Sequence, residues 1–367
     1  MSEKVTEKNK DKKFTETFTN SAEYGIIPQN DFFDKAISNS KNIDNYYIVQ
    51  NDDFIYNPRI SNFAPVGPIK RNKLNKVGIM SPLYYVFRTK NIDLTFLEKF
   101  FDTSYWYSFM KLNGDTGARA DRFAIKDSVF REMPIPYPSS EEQAKIGNLL
   151  KQIDNTIALH QEKLSKLQSL KKAALQSLFP QKNEKEPKVR FANFKEIWKQ
   201  YKLKDVIESE LKGKAKAKDK TNDCKNVYLE TNYLNGGEVS YVDVPNDVDE
   251  DDVLILWDGS QAGTVYHGYK GALGSTLKAY KPKESGEFMF QYLKKNQQKI
   301  YDNYRTPNIP HVVKTFTEDF RIKSTSIIEQ RKISSFFKQL DSTINFYQDK
   351  LEKLQLLKKS FLQKMFI

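Results

Sequence analysis

Three histidines, His160, His267 and His311, and one cysteine, Cys224, supply all the imidazole and thiol groups of the chain. They stand far apart, so no pair has the short spacing of a zinc site. One cysteine excludes an internal disulfide framework and fits a reducing compartment, the cytoplasm. The acidic pairs Asp52-Asp53 and Asp251-Asp252 each precede an apolar run. Paired carboxylates suit metal-assisted hydrolysis, but their recurrence at the same place in each half favours a turn that starts a strand. No GxxxxGK[ST] run is present to cradle phosphates on backbone amides. Nor is there a Gly-rich cofactor loop with the Asn/Asp-Pro-Pro-aromatic motif of an autonomous DNA methyltransferase.

What remains is cationic and amide chemistry. Fifty-nine Lys and Arg against 47 Asp and Glu leave a formal net charge of +12. That balance points to a polyanion partner, although solubility alone also accounts for it. Arg, Lys, Asn and Gln are the side chains that read base edges through paired donors and acceptors. In the first half Asn57, Arg59, Asn62, Lys70, Arg71, Arg119 and Arg122 fall in loops after strands, with Gly and Pro nearby to let the backbone approach a duplex. In the second half the candidates are Gln261, Lys278, Arg305, His311 and Lys314. The run LKGKAKAKDK (211–220), with Lys214 and Lys216, reads as a mobile loop that is either a phosphate clamp or plain soluble surface. Taken singly, each candidate fits a solvated or phosphate-contacting side chain better than a base reader.

These side chains need elements to hold them, and the plainest elements occur twice. The segment from Glu142-Gln143 to Phe179 aligns without a gap on the segment from Glu329-Gln330, 187 residues later. Identities include Lys145/Lys332, Ile146/Ile333, Asp154/Asp341, Leu164/Leu351, Lys171/Lys358 and Gln176/Gln363. In each copy apolar residues recur at steps of 3 and 4, from Ile146 to Leu178 and from Ile333 to Met365, interrupted by His160 and Lys171 in the first. Such a seam predicts a long helix that needs a partner helix over it. His160, lying on the seam, reads as a packed core residue rather than a ligand. Ser139 or Ser140 can cap the first helix and Pro180 stops it; Ser326 with Glu329 predicts a capping box for the second. About 39 residues make a rod of roughly 60 Å. Two rods in one chain most simply pair with each other.

The stretches before the helices are faintly related too. NDDFIYNPRISNFAPVGPIK, VGIMSPLYYVF and DLTFLEKFFDTSYWYSFMKL in the first half match EDDVLILWDGSQAGTVYHG, GALGSTLKAY and EFMFQYLKKNQQKIYDNY in order and type. Aromatic and β-branched runs broken by Gly, Asn and Pro predict a small mixed module in each half. KNEKEPK (182–188) reads as an exposed linker. The expected fold class is α+β: two globular modules separated by two long antiparallel coiled-coil helices. The divisions are module 1–138, helix 139–180, linker 181–190, module 191–325 and helix 326–367. Hydrophobic residues are 39% and charged residues 29%, as in a globular protein, and no apolar run is long enough to span a membrane.

With its EEQAKI and IEQRKI helix starts, KLxxLxxLKKxxLQ endings and GALGSTL and GARADRF stretches, the chain resembles the specificity (S) subunits of type I restriction–modification enzymes. The likeness covers essentially the whole chain. It implies two target recognition domains, each reading one half of a bipartite double-stranded DNA site. It also implies helical regions that dock two modification (methyltransferase) subunits, joined by restriction subunits. The chain itself would then be non-catalytic, with S-adenosylmethionine, ATP and Mg²⁺ bound by the partners. Exposed apolar residues of the helices, Leu149, Leu170 and Leu175 with Phe336, Leu357 and Leu362, either meet those partners or widen the seam. Two departures stand out: MSEKVTEKNK lacks the FANFKEIWKQYKLKDV opening of the second module, so the first reads as truncated, starting late or lacking its first strands, and RTPNIPHV replaces the family's usual Thr-Gly-Ile-Pro-His run. A free-standing nuclease or methyltransferase and a plain coiled-coil scaffold are the alternative readings.

Overall fold

The computed structural model describes residues 2–32, 43–116, 121–221, 223, 225–307 and 310–366. Cys224 and Asn308 lie outside the described residues. Two compact units divide the chain: Met1–Gln161 with Lys350–Ile367, and Glu162–Asp349. No helix among the described residues is long and apolar enough to cross a membrane.

In the first unit β1 (Ser2–Lys4), β2 (Phe54–Tyr56), β3 (Ile69–Arg71) and β4 (Tyr85–Thr89) form an antiparallel sheet in the order β1-β4-β2-β3. In the second unit β5 (Ile207–Lys212), β6 (Val253–Leu256), β7 (Val265–His267) and β8 (Leu277–Pro282) repeat it in the order β5-β8-β6-β7. Each sheet carries an amphipathic helix after its last strand, α1 (Leu94–Phe101) and α2 (Gly286–Lys295). Asp93 caps α1 by accepting from Phe96 N, and Ser285 caps α2 by accepting from Phe288 N. The acidic pairs form a shared turn: Asp53 accepts from Gln50 N at 2.8 Å, and Asp252 from Asp249 N at 2.9 Å.

β1 takes in the first sheet the place that β5 takes in the second. The second unit has in addition a strand pair, Lys199–Lys202 with Arg321–Ser324, that has no counterpart among the described residues of the first. Trp198 and Leu203, beside that pair, are buried in the second unit's core with Phe288, Phe320 and Phe337.

The two long helices span Ser140–Ser177 and Ile327–Lys364. Each crosses the division between the units, so each unit holds a part of both. In the first unit Ile146 and Leu150 join a core that also takes Phe361 and Phe366, and Lys358 Nζ meets Asp154 Oδ1 at 2.7 Å. In the second unit Lys171 Nζ meets Asp341 Oδ1 at 2.6 Å, and Lys163 Nζ lies 4.7 Å from the centre of the Tyr347 ring. Partner numbers fall as the first helix's numbers rise, so the helices run antiparallel within each unit. Lys171 interrupts the apolar seam because it is an ion-pair member, and its repeat Lys358 makes the same pair with the repeat of Asp341. His160 is buried on the seam.

The Glu-Gln motif at each helix start has a mechanical role. Gln143, buried, donates to Pro138 O at 2.8 Å and accepts from Asp93 N at 2.9 Å, the residue that caps α1. Gln330 donates to Thr325 O at 2.8 Å, the equivalent carbonyl, and to Glu284 just before α2. Each glutamine therefore ties a long helix to the short helix of its module. Ser139 accepts from Glu142 N at 3.3 Å, as a cap should. The expected capping box at Ser326 does not form: its hydroxyl is buried without a hydrogen-bond partner. Glu329 instead takes Arg190 Nε and a second guanidinium nitrogen, each at 2.7 Å, with Thr325 Oγ1 at 2.5 Å. A bidentate, charge-assisted pair outcompetes a backbone amide for that carboxylate. The 182–188 stretch is exposed yet pinned, since Lys323 Nζ donates to Gln181 O and Glu184 O, each at 2.6 Å.

Candidate nucleic-acid interface

Beyond the second strand of each sheet lies a loop that the chain crosses again later. In the first unit the loop 57–68 is met by residues 121–124; in the second, the loop 257–264 is met by residues 310–313. The bonding matches rung for rung. Phe123 N donates to Pro58 O (2.7 Å) and Ile60 N to Asp121 O (3.0 Å); Val312 N donates to Trp257 O (2.9 Å) and Gly259 N to Pro310 O (3.0 Å). Between these bonds Arg59 faces Arg122, and Asp258 faces His311.

Most of the loop candidates from the sequence gather on these two rims. Asn57 is half-buried and structural: it donates to Asn20 O at 2.9 Å and accepts from Arg59 N at 3.0 Å. Arg59 is exposed, with Asp121 3.7 Å away, a pair too solvated to contribute much stability. Asn62 and the exposed Phe63 form the tip of the loop, closed by reciprocal Ser61–Ala64 backbone bonds. A hollow of about 590 Å³ runs beneath, lined by Asn57, Arg59, Arg122, Tyr46 and Leu83 among others. In the second unit Gln261 is exposed on the loop. Arg305 lies over the Tyr301 ring at 4.6 Å and donates to Ser260 O at 3.3 Å, so it braces the same loop. His311 holds its Nδ1 3.0 Å from Thr306 Oγ1. Lys314 is exposed just beyond. Lys278 lies beside the rim on β8, its ammonium 3.4 Å from the centre of the Trp257 ring and paired with Glu210.

Other candidates sit elsewhere. Arg119 lies outside the described residues. Lys70 pairs with Asp102 at 3.0 Å. Arg71 is opposite Phe54, at the end of the strands away from the loop, and pairs with Asp52 and Glu98. It lines a hollow of about 360 Å³ with Lys99, Lys151 and Asp154. His267 occupies the corresponding strand position in the second unit, within reach of Glu287 (3.2 Å) and beside a hollow of about 860 Å³. Lys214 and Lys216 are exposed, but their segment is not a mobile loop. Gly213 N donates to Leu277 O, and Lys214 and Ala215 N to Leu273 O, each at 3.0 Å, so alternate residues are buried and the lysines point outward.

Asp258 also stands on the second rim, and the choice of cationic and amide side chains as candidates passed it over. The offset of 199 between the acidic pairs already sets Asp258 against Arg59, and the backbone bonds add that the two face Arg122 and His311 on matched rungs. In the first unit a buried Lys99 joins Asp102 and Asp154 at 3.1 and 2.6 Å. Burial pushes the Lys99 ammonium down, yet the surrounding carboxylates hold its pKa well above the usual value.

Comparison with known proteins agrees with this architecture. The family model for the type I restriction modification DNA specificity domain matches residues 3–169 and again 195–356. The chain is 31% identical over 191 residues to the specificity subunit of a type I restriction enzyme of Methanocaldococcus jannaschii, covering 47% of this chain and 45% of that protein. It thus spans about half the length of that curated relative. The S subunit of a type I restriction-modification system from M. genitalium superposes with a TM-score of 0.63 at 16% identity, over 100% of this chain and 96% of that one. A chain from a structure of type I R-M complex assembly and conformational transition superposes at 0.51 with 14% identity, over 100% and 97%. At such identities the likeness concerns the fold.

Proposed function

The chain belongs to the type I restriction–modification DNA specificity family, and on that premise we propose that it selects a bipartite DNA target for a multisubunit restriction–modification complex. One observation carries this: each module presents a rim of the same backbone construction, bearing mainly cationic and amide side chains. A duplicated module with different rim residues suits two different half-sites on one duplex. Half-sites one helical turn apart are ~34–36 Å from centre to centre, within the reach of 38-residue helices of roughly 57 Å.

In this proposal residues 1–138 and 191–325 are the recognition domains, 139–180 and 326–367 the helical regions, and 181–190 the link. The chain contributes recognition and no catalysis. Two modification subunits dock on the helices, where Leu149, Leu159, Leu170, Phe346, Leu356 and Leu357 stay exposed. Leu175, Phe336 and Leu362 are instead packed against the two cores and serve the fold. Restriction subunits join the assembly, and S-adenosylmethionine, ATP and Mg²⁺ belong to these partners. Methylome sequencing of cells expressing the chain with its modification partner tests the proposal. A two-part adenine-methylated motif with a fixed gap, dependent on this chain, is expected. Methylation or cleavage of plasmid DNA by the purified chain alone overturns it.

A further inference from the structure

Arg59 and Arg122 are directly opposed on a rung whose neighbours carry the backbone bonds: Pro58 with Phe123 and Ile60 with Asp121. That is the non-hydrogen-bonded kind of antiparallel pair, with Cα atoms ~4.5 Å apart and both side chains on one face. Like charges so placed repel. Asp121, 3.7 Å from Arg59 and more than half exposed like it, relieves little of this. The backbone does not require two arginines, because the matched rung of the second unit carries Asp258 and His311. The first rung is therefore built for an electronegative ligand. The second has an exposed carboxylate in a chain of net charge +12, where a phosphate backbone repels it.

We infer that these rungs are matched base-reading positions of opposite sign: Arg59–Arg122 takes the O6/N7 edge of a guanine, and Asp258 accepts from the exocyclic amino group of a cytosine. Arginine's fork fits two acceptors on one base, while a carboxylate gains in the groove only from an amino donor. His311, its ring held by Thr306, positions the second rung. This rests on the bipartite-target reading above and adds the bases read at one position in each half.

The test is the methylated motif of the full chain, co-expressed with its modification subunit, as wild type and as Arg59→Met, Arg122→Met and Asp258→Asn. These exposed or half-exposed, near-isosteric changes keep the fold, which unchanged thermal unfolding verifies. Expected are a loss of preference for one G·C pair in one half-site with either methionine variant, by about tenfold or more, and the same loss at one C·G pair in the other half with Asp258→Asn. The other half stays intact each time. An unchanged motif in all three variants, changes falling in the same half, or loss of all methylation by a folded variant overturns the inference while the bipartite reading stands. A wild-type motif that is continuous rather than split defeats the bipartite reading itself.

Discussion

Removing the Arg190 guanidinium should destabilise the second unit far more than an ordinary surface change. Glu329 is fully buried and its carboxylate has three partners, two nitrogens of Arg190 at 2.7 Å and the Thr325 hydroxyl at 2.5 Å. Arg190→Ala leaves a buried charge with one neutral donor, a situation that costs ~3–5 kcal/mol. The helix N-terminus beside Glu329 offsets at most ~1 kcal/mol of that. A net loss of about 2–5 kcal/mol lowers the midpoint of a unit this size by roughly 4–20 °C. The assay is thermal unfolding, with hydrogen exchange in peptides covering 327–345 to localise the loss. Arg190→Met with Glu329→Leu should recover most of it, since replacing both charges by apolar groups is often neutral. Glu142, the repeat of Glu329, is exposed, so Glu142→Ala should stay within ~0.5 kcal/mol. A loss under ~1 kcal/mol for Arg190→Ala, as for a solvent-screened pair, would refute this account of the helix start.

Acid should loosen the first unit. Burial pushes Asp102 and Asp154 up, but Lys70 and Lys99 around the one, and Lys358 and Lys99 around the other, hold both carboxyls below their ordinary 3.8. Folded, they bind fewer protons than unfolded, so their contribution is complete above pH ~4 and is lost as pH falls through the lowered values; Asp154→Asn should flatten that limb of a stability–pH curve. Gly147 lies against the start of α1, where an added Cβ would meet Phe96 N at 3.0 Å. Gly147→Ala should therefore miss the usual helix gain of ~0.5–1 kcal/mol, and Gly147→Leu should cost ~1–3 kcal/mol in denaturant unfolding. If Lys214 and Lys216 contact phosphates, each change to Gln lowers the slope of log affinity against log salt by ~0.9 without altering the methylated motif.

The long helices were legible because a 3–4 apolar rhythm sustained over ten turns has few other physical meanings, and its duplication removed the rest. Lys171 looked like a flaw in that rhythm because its partner Asp341 is remote in sequence. Ser326 and Glu329 formed a sound local pattern, yet Arg190, distant in the chain, captured the carboxylate. The lysine run 211–220 suggested mobility by composition, but Gly213 and Ala215 are small because that segment lies against residues 273–277. Arg71 and Lys70 have the side chains of base readers, and strand direction put them in ion pairs away from the loops. The rim was only partly visible, since side-chain type marks Arg59 and Gln261, while Asp258 is marked only by its alignment with Arg59 and the rung it faces shows only in the backbone bonds.

The central claim is that two modules engage two separated parts of one duplex at a set distance. Affinity of the chain, with its modification subunits, for duplexes carrying both half-sites at gaps varied one base pair at a time measures this directly. A single optimum is predicted, with affinity falling about tenfold or more when one or two base pairs are added or removed. Equal affinity across all gaps, or equal affinity for one half-site alone, would contradict it.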